Sequence, residues 1–158
     1  MENTQEPNLS LIVKHGLSIY IETEKQKLLF DTGPDDSFLY NARDVGVDLK
    51  KVDTLVISHA HYDHGGGLEE FLKLNDHARV FLSSGVKGEY FAQRSETKFE
   101  SIGLNPVVLE IYKNRLHFIE DKTVISPGIT LLTTTEQYLC TQSSTITEKR
   151  GSISKGFL

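Results

Sequence analysis

The chain has 158 residues, of which 38% are hydrophobic and 25% are charged. This composition is ordinary for one globular domain with a buried core, and it argues against a disordered chain. The formal net charge is −5 and the 17 basic residues are scattered along the sequence, so nucleic acid is not expected as the primary partner. The single cysteine, Cys140, excludes an intrachain disulfide framework and favours a reducing compartment.

The sequence also lacks the features of a targeting or membrane segment. Residues 1–8 are polar and acidic, without a basic region followed by an apolar one. Nowhere does an apolar run approach the length needed to span a bilayer. We therefore expect a cytoplasmic protein with no membrane partner.

The first predicted elements are short strands. Residues 9–14 and 17–22 are rich in β-branched and aromatic side chains and are separated by Gly16, which predicts a hairpin. Residues 27–30 predict a third strand, which ends at the turn signal Asp31-Thr32-Gly33-Pro34.

Helices then alternate with strands. Apolar spacing from Phe38 to Val45 predicts a helix, and the apolar run over residues 52–57 is typical of a strand that is buried on both faces. This alternation predicts one layered α/β domain over residues 1–158, with residues 142–158 as a candidate disordered tail. The remaining predicted elements are a helix through Leu68, Phe71 and Leu72 and strands at residues 79–82, 116–119 and 129–134.

A histidine-rich motif directly follows the buried strand. Residues 58–67 read Ser-His-Ala-His-Tyr-Asp-His-Gly-Gly-Gly, which places three imidazoles and one carboxylate within six positions: His59, His61, Asp63 and His64. Neutral imidazoles and a carboxylate suit zinc, and also iron or manganese. In extended backbone His59 and His61 project to the same side, whereas Asp63 and His64 can turn toward a second ion. The motif predicts a metal site.

The motif also carries a family resemblance. Together with the earlier strand and Asp31-Thr32-Gly33, it resembles the metallo-β-lactamase superfamily. The segments 15–18 and 125–129 resemble the branch of metallo-hydrolases and dihydropterin-synthase-like enzymes. The resemblance implies a four-layer αβ/βα sandwich with a dinuclear site at the sheet edges, of which this chain supplies the first part and leaves the second half incomplete.

The resemblance also implies the metal ligands. His59 and His61 would hold the first metal, and Asp63 and His64 the second. Zinc is the expected metal, with up to two ions in the complete family site, and iron or manganese are the alternatives. The shared chemistry is hydrolysis by a metal-activated water.

Three further roles are expected around these ligands. Asp63 is the candidate catalytic residue because its carboxylate can also accept a proton. Asp31 is the candidate orienting residue, since a carboxylate just past a buried strand can hold a metal-binding imidazole through a hydrogen bond. His15 is a candidate substrate-side residue, because the resemblance places its equivalent at the rim of the site.

The chain departs from the family pattern in its later part. Relatives supply a third histidine, a bridging aspartate and a last histidine, whereas this chain has only His77 and His117 downstream, neither of them in a glycine-flanked loop. We therefore expect a truncated domain whose uncovered sheet face favours a homo-oligomer. Two functions remain open: a metal-dependent hydrolase of a small-molecule substrate, or a catalytically incomplete metal-binding fragment that acts as an association module or degenerate copy.

Overall fold

The computed structural model describes residues 10–133 and the strand at 146–148. No helix in this part of the chain is long and apolar enough to cross a membrane. The helices are α1 (Ser37–Asp44), α2 (Tyr62–Gly65), α3 (Leu68–Leu74) and α4 (Pro106–Ile111). The strands are β1 (Ile19–Glu22), β2 (Lys27–Phe30), β3 (Thr54–Ile57), β4 (Arg79–Ser83), β5 (Tyr90–Gln93), β6 (Phe99–Ser101), β7 (Leu116–Ile119), β8 (Thr123–Ser126), β9 (Ile129–Leu131) and β10 (Ile146–Glu148).

Five strands form the main sheet, in the order β1-β2-β3-β4-β7. Strand β1 is antiparallel to β2, while β2, β3, β4 and β7 run parallel to one another. Parallel strands place their carboxyl ends at one edge of the sheet, so the loops after β2 and β3 meet there. The predicted α/β class is confirmed.

One face of the sheet packs against the helices. Side chains alternate along a strand, and Leu55 and Ile57 of β3 therefore point to the same side. Both side chains are at most 1% exposed, and they belong to a cluster that includes Phe38 of α1 and Phe71 of α3. Burial of a side chain of this size stabilises the fold by about 1.5–3 kcal/mol.

The opposite face is covered at its centre by the hairpin of β8 and β9. Val56 and Phe81 of the sheet pack there with Ile125 of β8. Among the described residues of this sheet face, Ile19 and Ile21 on the edge strand β1 remain 44% and 45% exposed. These two residues pair with Phe30 and Leu28 across the ladder and so lie on the same face as the second cluster.

The predicted first hairpin is wrong in its first strand. Residues 10–14 form no strand, and β1 instead pairs with β2 through a turn at residues 23–26. The reason is a competing partner for the backbone: the Asn41 side chain of α1 accepts a hydrogen bond from the amide of Ile12 at 2.8 Å and donates one to its carbonyl at 2.9 Å. These two hydrogen bonds hold residues 10–14 against α1.

Strand β10 lies within the segment 142–158 that was predicted as a disordered tail. Its backbone pairs antiparallel with the edge of β5, and disorder of the segment as a whole stays a prediction. Edge pairing depends on backbone hydrogen bonds, so a strand there needs little apolar patterning. The rest of the segment, like Cys140, lies outside the described residues.

Close backbone contact joins the loop after β2 to the motif. A Cβ atom on Gly66 would lie 2.1 Å from the carbonyl oxygen of Pro34, which no real side chain tolerates. Gly33 and Gly65 form a parallel bridge beside this contact. The glycines of the motif thus allow the two loops to lie directly against each other.

We predict that Gly66→Ala lowers the free energy of unfolding by about 1–3 kcal/mol, because the backbone of Pro34 must move. Gly103→Ala is the matched control, since a Cβ there would meet its nearest atoms at 3.7 Å, and its effect should stay within about 1 kcal/mol. Urea unfolding of both variants measures the difference. Equal stabilities would show that the two loops are not in contact in solution.

Candidate metal centre

The motif lies at the carboxyl end of β3, in the loop that leads into α2. Two backbone hydrogen bonds fix its position: the amide of Thr32 donates to the carbonyl of His64 at 2.7 Å, and the amide of Tyr62 donates to the carbonyl of Ile102 at 2.8 Å. The first bond comes from the loop after β2 and the second from the loop after β6. The motif is therefore held from both sides by segments that are distant in sequence.

The side chain of Asp31 is completely buried beneath the motif. Its carboxylate accepts hydrogen bonds from the amide of Ser58 at 2.7 Å, from the Ser58 hydroxyl at 2.8 Å and from Nδ1 of His64 at 2.7 Å. Its backbone has a φ of 59°, in the left-handed region that Asp and Asn tolerate better than other residues with a side chain. This turn aims the carboxylate from the end of β2 toward the end of β3.

Three potential metal ligands converge above Asp31. One donor atom each from His59, Asp63 and His64 lies within 4.8 Å of the others. Two imidazoles and one carboxylate, with room for a water, make up the ligand set of many catalytic zinc sites. The donor set of this chain therefore fits a divalent metal ion.

His61 lies beside this group but does not belong to it. Its ring centre is 4.7 Å from that of His59 in an edge-to-face contact, and 5.9 Å from the ring of Tyr90 on β5. The structure therefore brings together three of the four predicted ligands as one compact set. The pairing of His59 with His61 around one ion and of Asp63 with His64 around another stays a prediction.

Burial and the neighbouring charges give the three histidines different proton affinities. Burial, together with the nearby His64 and His61, lowers the pKa of His59 to about 4. Burial also lowers the pKa of His61, whereas the hydrogen bond to Asp31 raises the pKa of His64. At neutral pH His59 and His61 are neutral, which is the form that binds metal ions.

His15 contacts the motif at Asp63. Its Nε2 lies 3.3 Å from a carboxylate oxygen of Asp63, and its side chain is 75% exposed. The adjoining Gly16 has a φ of 131°, and a Cβ there would lie 2.0 Å from the backbone oxygen of Asp63. His15 is thus at the solvent-facing rim of the cluster, and its substrate-side role stays a prediction.

Sequence reasoning gave no role to two residues that contact the candidate ligands. The Ser58 hydroxyl lies 2.8 Å from Nδ1 of His59, and the Tyr90 ring faces His61. Ser58 directly follows β3 and precedes His59, and this position in the sequence could have indicated a role at the site. No local pattern marks Tyr90. It lies next to the motif because the amide of Ile102 donates to its carbonyl and Gly103 pairs with His61.

This chain has a layered α/β fold, and its histidines and a carboxylate cluster at the carboxyl end of a buried parallel strand. These two features are typical of a class of metal-binding proteins. The family model for the metallo-β-lactamase superfamily matches residues 11–142. The chain therefore belongs to the metallo-β-lactamase superfamily, whose members typically bind metal ions, and the predicted resemblance is confirmed.

Individual relatives agree with this assignment. The chain is 34% identical over 89 residues to the 7,8-dihydropterin-6-methyl-4-(β-D-ribofuranosyl)-aminobenzene-5'-phosphate synthase of Methanocaldococcus jannaschii, a match over 52% of this chain and 30% of the synthase. A crystal structure of a metal-dependent hydrolase of the β-lactamase superfamily matches with a TM-score of 0.66 and 30% identity, over 85% of this chain and 46% of the hydrolase. A subclass B3 metallo-β-lactamase from a soil metagenome library shares the fold, with a TM-score of 0.53 and 22% identity, over 75% of this chain and 46% of the lactamase. The chain thus spans less than half the length of these relatives.

We predict that Asp31→Asn lowers the affinity for zinc about 10-fold to 100-fold, the usual effect of losing a partner that orients a ligand. An amide has one oxygen, so either the Ser58 amide or Nδ1 of His64 loses its acceptor. Asn also tolerates the left-handed backbone at this position, and the fold should persist. Equilibrium dialysis against zinc, with circular dichroism of the same samples, provides the measurement.

Asp53→Asn is the matched control, because Asp53 also accepts a hydrogen bond from a backbone amide, that of Lys27, but lies away from the motif. It should leave zinc affinity unchanged. An Asp31→Asn variant that binds zinc as tightly as this control would exclude Asp31 from the site.

Proposed function

We propose that this chain is a metal-dependent hydrolase that holds one ion through His59, Asp63 and His64. The observation that carries the proposal is the convergence of these three donors within 4.8 Å, directly above the buried carboxylate of Asp31. Zinc is the metal we propose, because two imidazoles and a carboxylate are a common catalytic zinc set, and iron or manganese are the alternatives. An ion bound there supplies a water of lowered pKa and polarises the oxygen of a carbonyl or phosphoryl group.

Asp63 is the residue we assign to proton transfer. The carboxylate of Asp31 also contacts the motif, but it is fully buried and already accepts three hydrogen bonds. The Asp63 side chain is 15% exposed and lies between His15 at 3.3 Å and His64 at 3.7 Å. It is therefore the carboxylate that can both bind an ion and meet the proton of an attacking water.

His15 is the residue we assign to the substrate. Its exposed ring borders Asp63, so a substrate that enters the cluster from solvent passes it. We propose a small molecule as that substrate, since the net charge of −5 does not favour nucleic acid. The relatives named above include a metal-dependent hydrolase and a synthase named for a phosphorylated dihydropterin compound, and we propose ester and phosphoester bonds as the first to test.

The test of this function is metal binding followed by hydrolysis. Wild-type protein should hold about one zinc ion per chain, as a three-residue ligand set implies. His59→Ala and His64→Ala should each lower the affinity by more than the roughly 100-fold that marks the loss of an orienting partner. His61→Ala should have a smaller effect, because its ring lies outside the compact set.

The matched control is His77→Ala, which removes an exposed histidine that is paired with Asp76, away from the motif. Zinc content by elemental analysis and affinity by dialysis are the measurements. If His61→Ala matches His59→Ala, the ion is held by the first pair of histidines and the three-donor assignment is wrong. Zinc-loaded protein that hydrolyses no phosphodiester, thioester or lactone would exclude the hydrolase and leave the metal-binding fragment.

A second candidate function, an association module, is favoured by the exposed apolar edge of the main sheet. Ile19 and Ile21 lie on β1, the edge strand of the main sheet in the part of the chain that the structure describes, and an edge strand can pair with a strand of another chain. A second copy of the chain is the partner we propose, joined edge to edge at β1.

We expect wild-type protein to sediment as a dimer and Ile21→Lys to sediment as a monomer, because a charge on the exposed edge opposes strand pairing. Val107→Lys adds the same charge at a residue of α4 that is 60% exposed, and it should leave the dimer intact. Sedimentation velocity over a range of concentrations distinguishes the species. A wild-type protein that is monomeric throughout would exclude this association.

A further inference from the structure

Ser58 lies between the buried carboxylate of Asp31 and the first histidine of the motif. Its hydroxyl oxygen is 2.8 Å from Oδ2 of Asp31 and 2.8 Å from Nδ1 of His59. The same hydroxyl is 3.5 Å from Nδ1 of His64, at the outer limit of a hydrogen bond. The amide of Ser58 also donates to Oδ1 of Asp31, which fixes the backbone of Ser58 on the carboxylate.

The directions of these hydrogen bonds follow from counting hydrogens. An ionised carboxylate can only accept, and a serine hydroxyl has a single hydrogen to donate. The Ser58 hydroxyl therefore gives its hydrogen to Asp31 and has only lone pairs left for His59. The short contact with Nδ1 of His59 is then a hydrogen bond only if that nitrogen carries the hydrogen.

The same count applies to His64. Its Nδ1 lies 2.7 Å from Oδ2 of Asp31, so this nitrogen must be the donor. In this arrangement of hydrogen bonds the hydrogen of each ring is on Nδ1, which leaves the lone pair of a neutral ring on Nε2. The Nε2 of His64 is the atom that faces Asp63, at 3.7 Å.

We infer that Ser58 is a positioning residue, which extends the influence of Asp31 to His59 and fixes that ring in the tautomer with its hydrogen on Nδ1. One buried carboxylate thereby orients both imidazoles, His64 directly and His59 through the hydroxyl. The consequence for metal binding rests on the proposed function: Nε2 of each ring is the nitrogen presented to an ion. The tautomer itself is a property of the chain without metal.

The experiment uses metal-free protein with ¹⁵N-labelled histidine at neutral pH. Long-range ¹H–¹⁵N spectra distinguish a protonated ring nitrogen from one with a lone pair, so they report the tautomer of each ring directly. In wild-type protein His59 should carry its hydrogen on Nδ1. In Ser58→Ala the acceptor of that hydrogen is gone, and the ring should shift toward the other tautomer.

Two variants complete the series. Ser58→Thr keeps the hydroxyl and should restore the wild-type tautomer, which a merely structural role for Ser58 would not require. Ser126→Ala removes a serine hydroxyl that instead donates to the Gln26 side chain, and it should leave the His59 signals unchanged. Zinc affinity should fall about 10-fold to 100-fold in Ser58→Ala and remain near the wild-type value in the other two.

The outcomes separate the role of Ser58 from the proposed metal site. A wild-type His59 with its hydrogen on Nε2 overturns the inference, and this result needs no variant that might misfold. Unchanged His59 signals in Ser58→Ala overturn it as well. If the tautomer shifts as expected but no form of the protein binds zinc, the role of Ser58 stands and the proposed metal site fails.

Discussion

The buried carboxylate of Asp31 is the interaction on which the site depends. Removing an ionised group from water is costly unless hydrogen bonds replace the lost hydration, and this carboxylate accepts three. Two of them come from Ser58 at the end of β3 and the third from His64, 33 residues along the chain from Asp31. These hydrogen bonds stabilise the charge only when β2 and β3 lie side by side. The arrangement of the site therefore depends on the packing of the sheet.

The sheet and the motif were predictable because their signals are local. The apolar run that became β3 and the helical spacing that became α3 each reflect burial of neighbouring residues, and the histidine motif is contiguous. The orientation of the donors was less accessible. Extended backbone puts His59 and His61 on one side, but the chain turns into α2 at Tyr62, so Asp63 and His64 fold back toward His59.

Other features depend on contacts between distant residues. The first predicted strand does not form because the side chain of Asn41 binds the backbone of Ile12. Asn41 is 29 positions away, so the sequence of the segment itself does not indicate this contact. The roles of Ser58 and Tyr90 likewise appear only when two loops meet. The three donors, His59, Asp63 and His64, are close in sequence. A chain that spans less than half the length of its relatives can therefore still bring these donors together.

Diffraction from zinc-loaded crystals, recorded on both sides of the zinc absorption edge, tests the central claim most directly. We predict one strong anomalous peak per chain, bonded to Nε2 of His59, Nε2 of His64 and a carboxylate oxygen of Asp63, with Asp31 still hydrogen-bonded to Nδ1 of His64. A peak bonded through Nδ1 of His59, a peak at other residues, or no peak at the motif would contradict it.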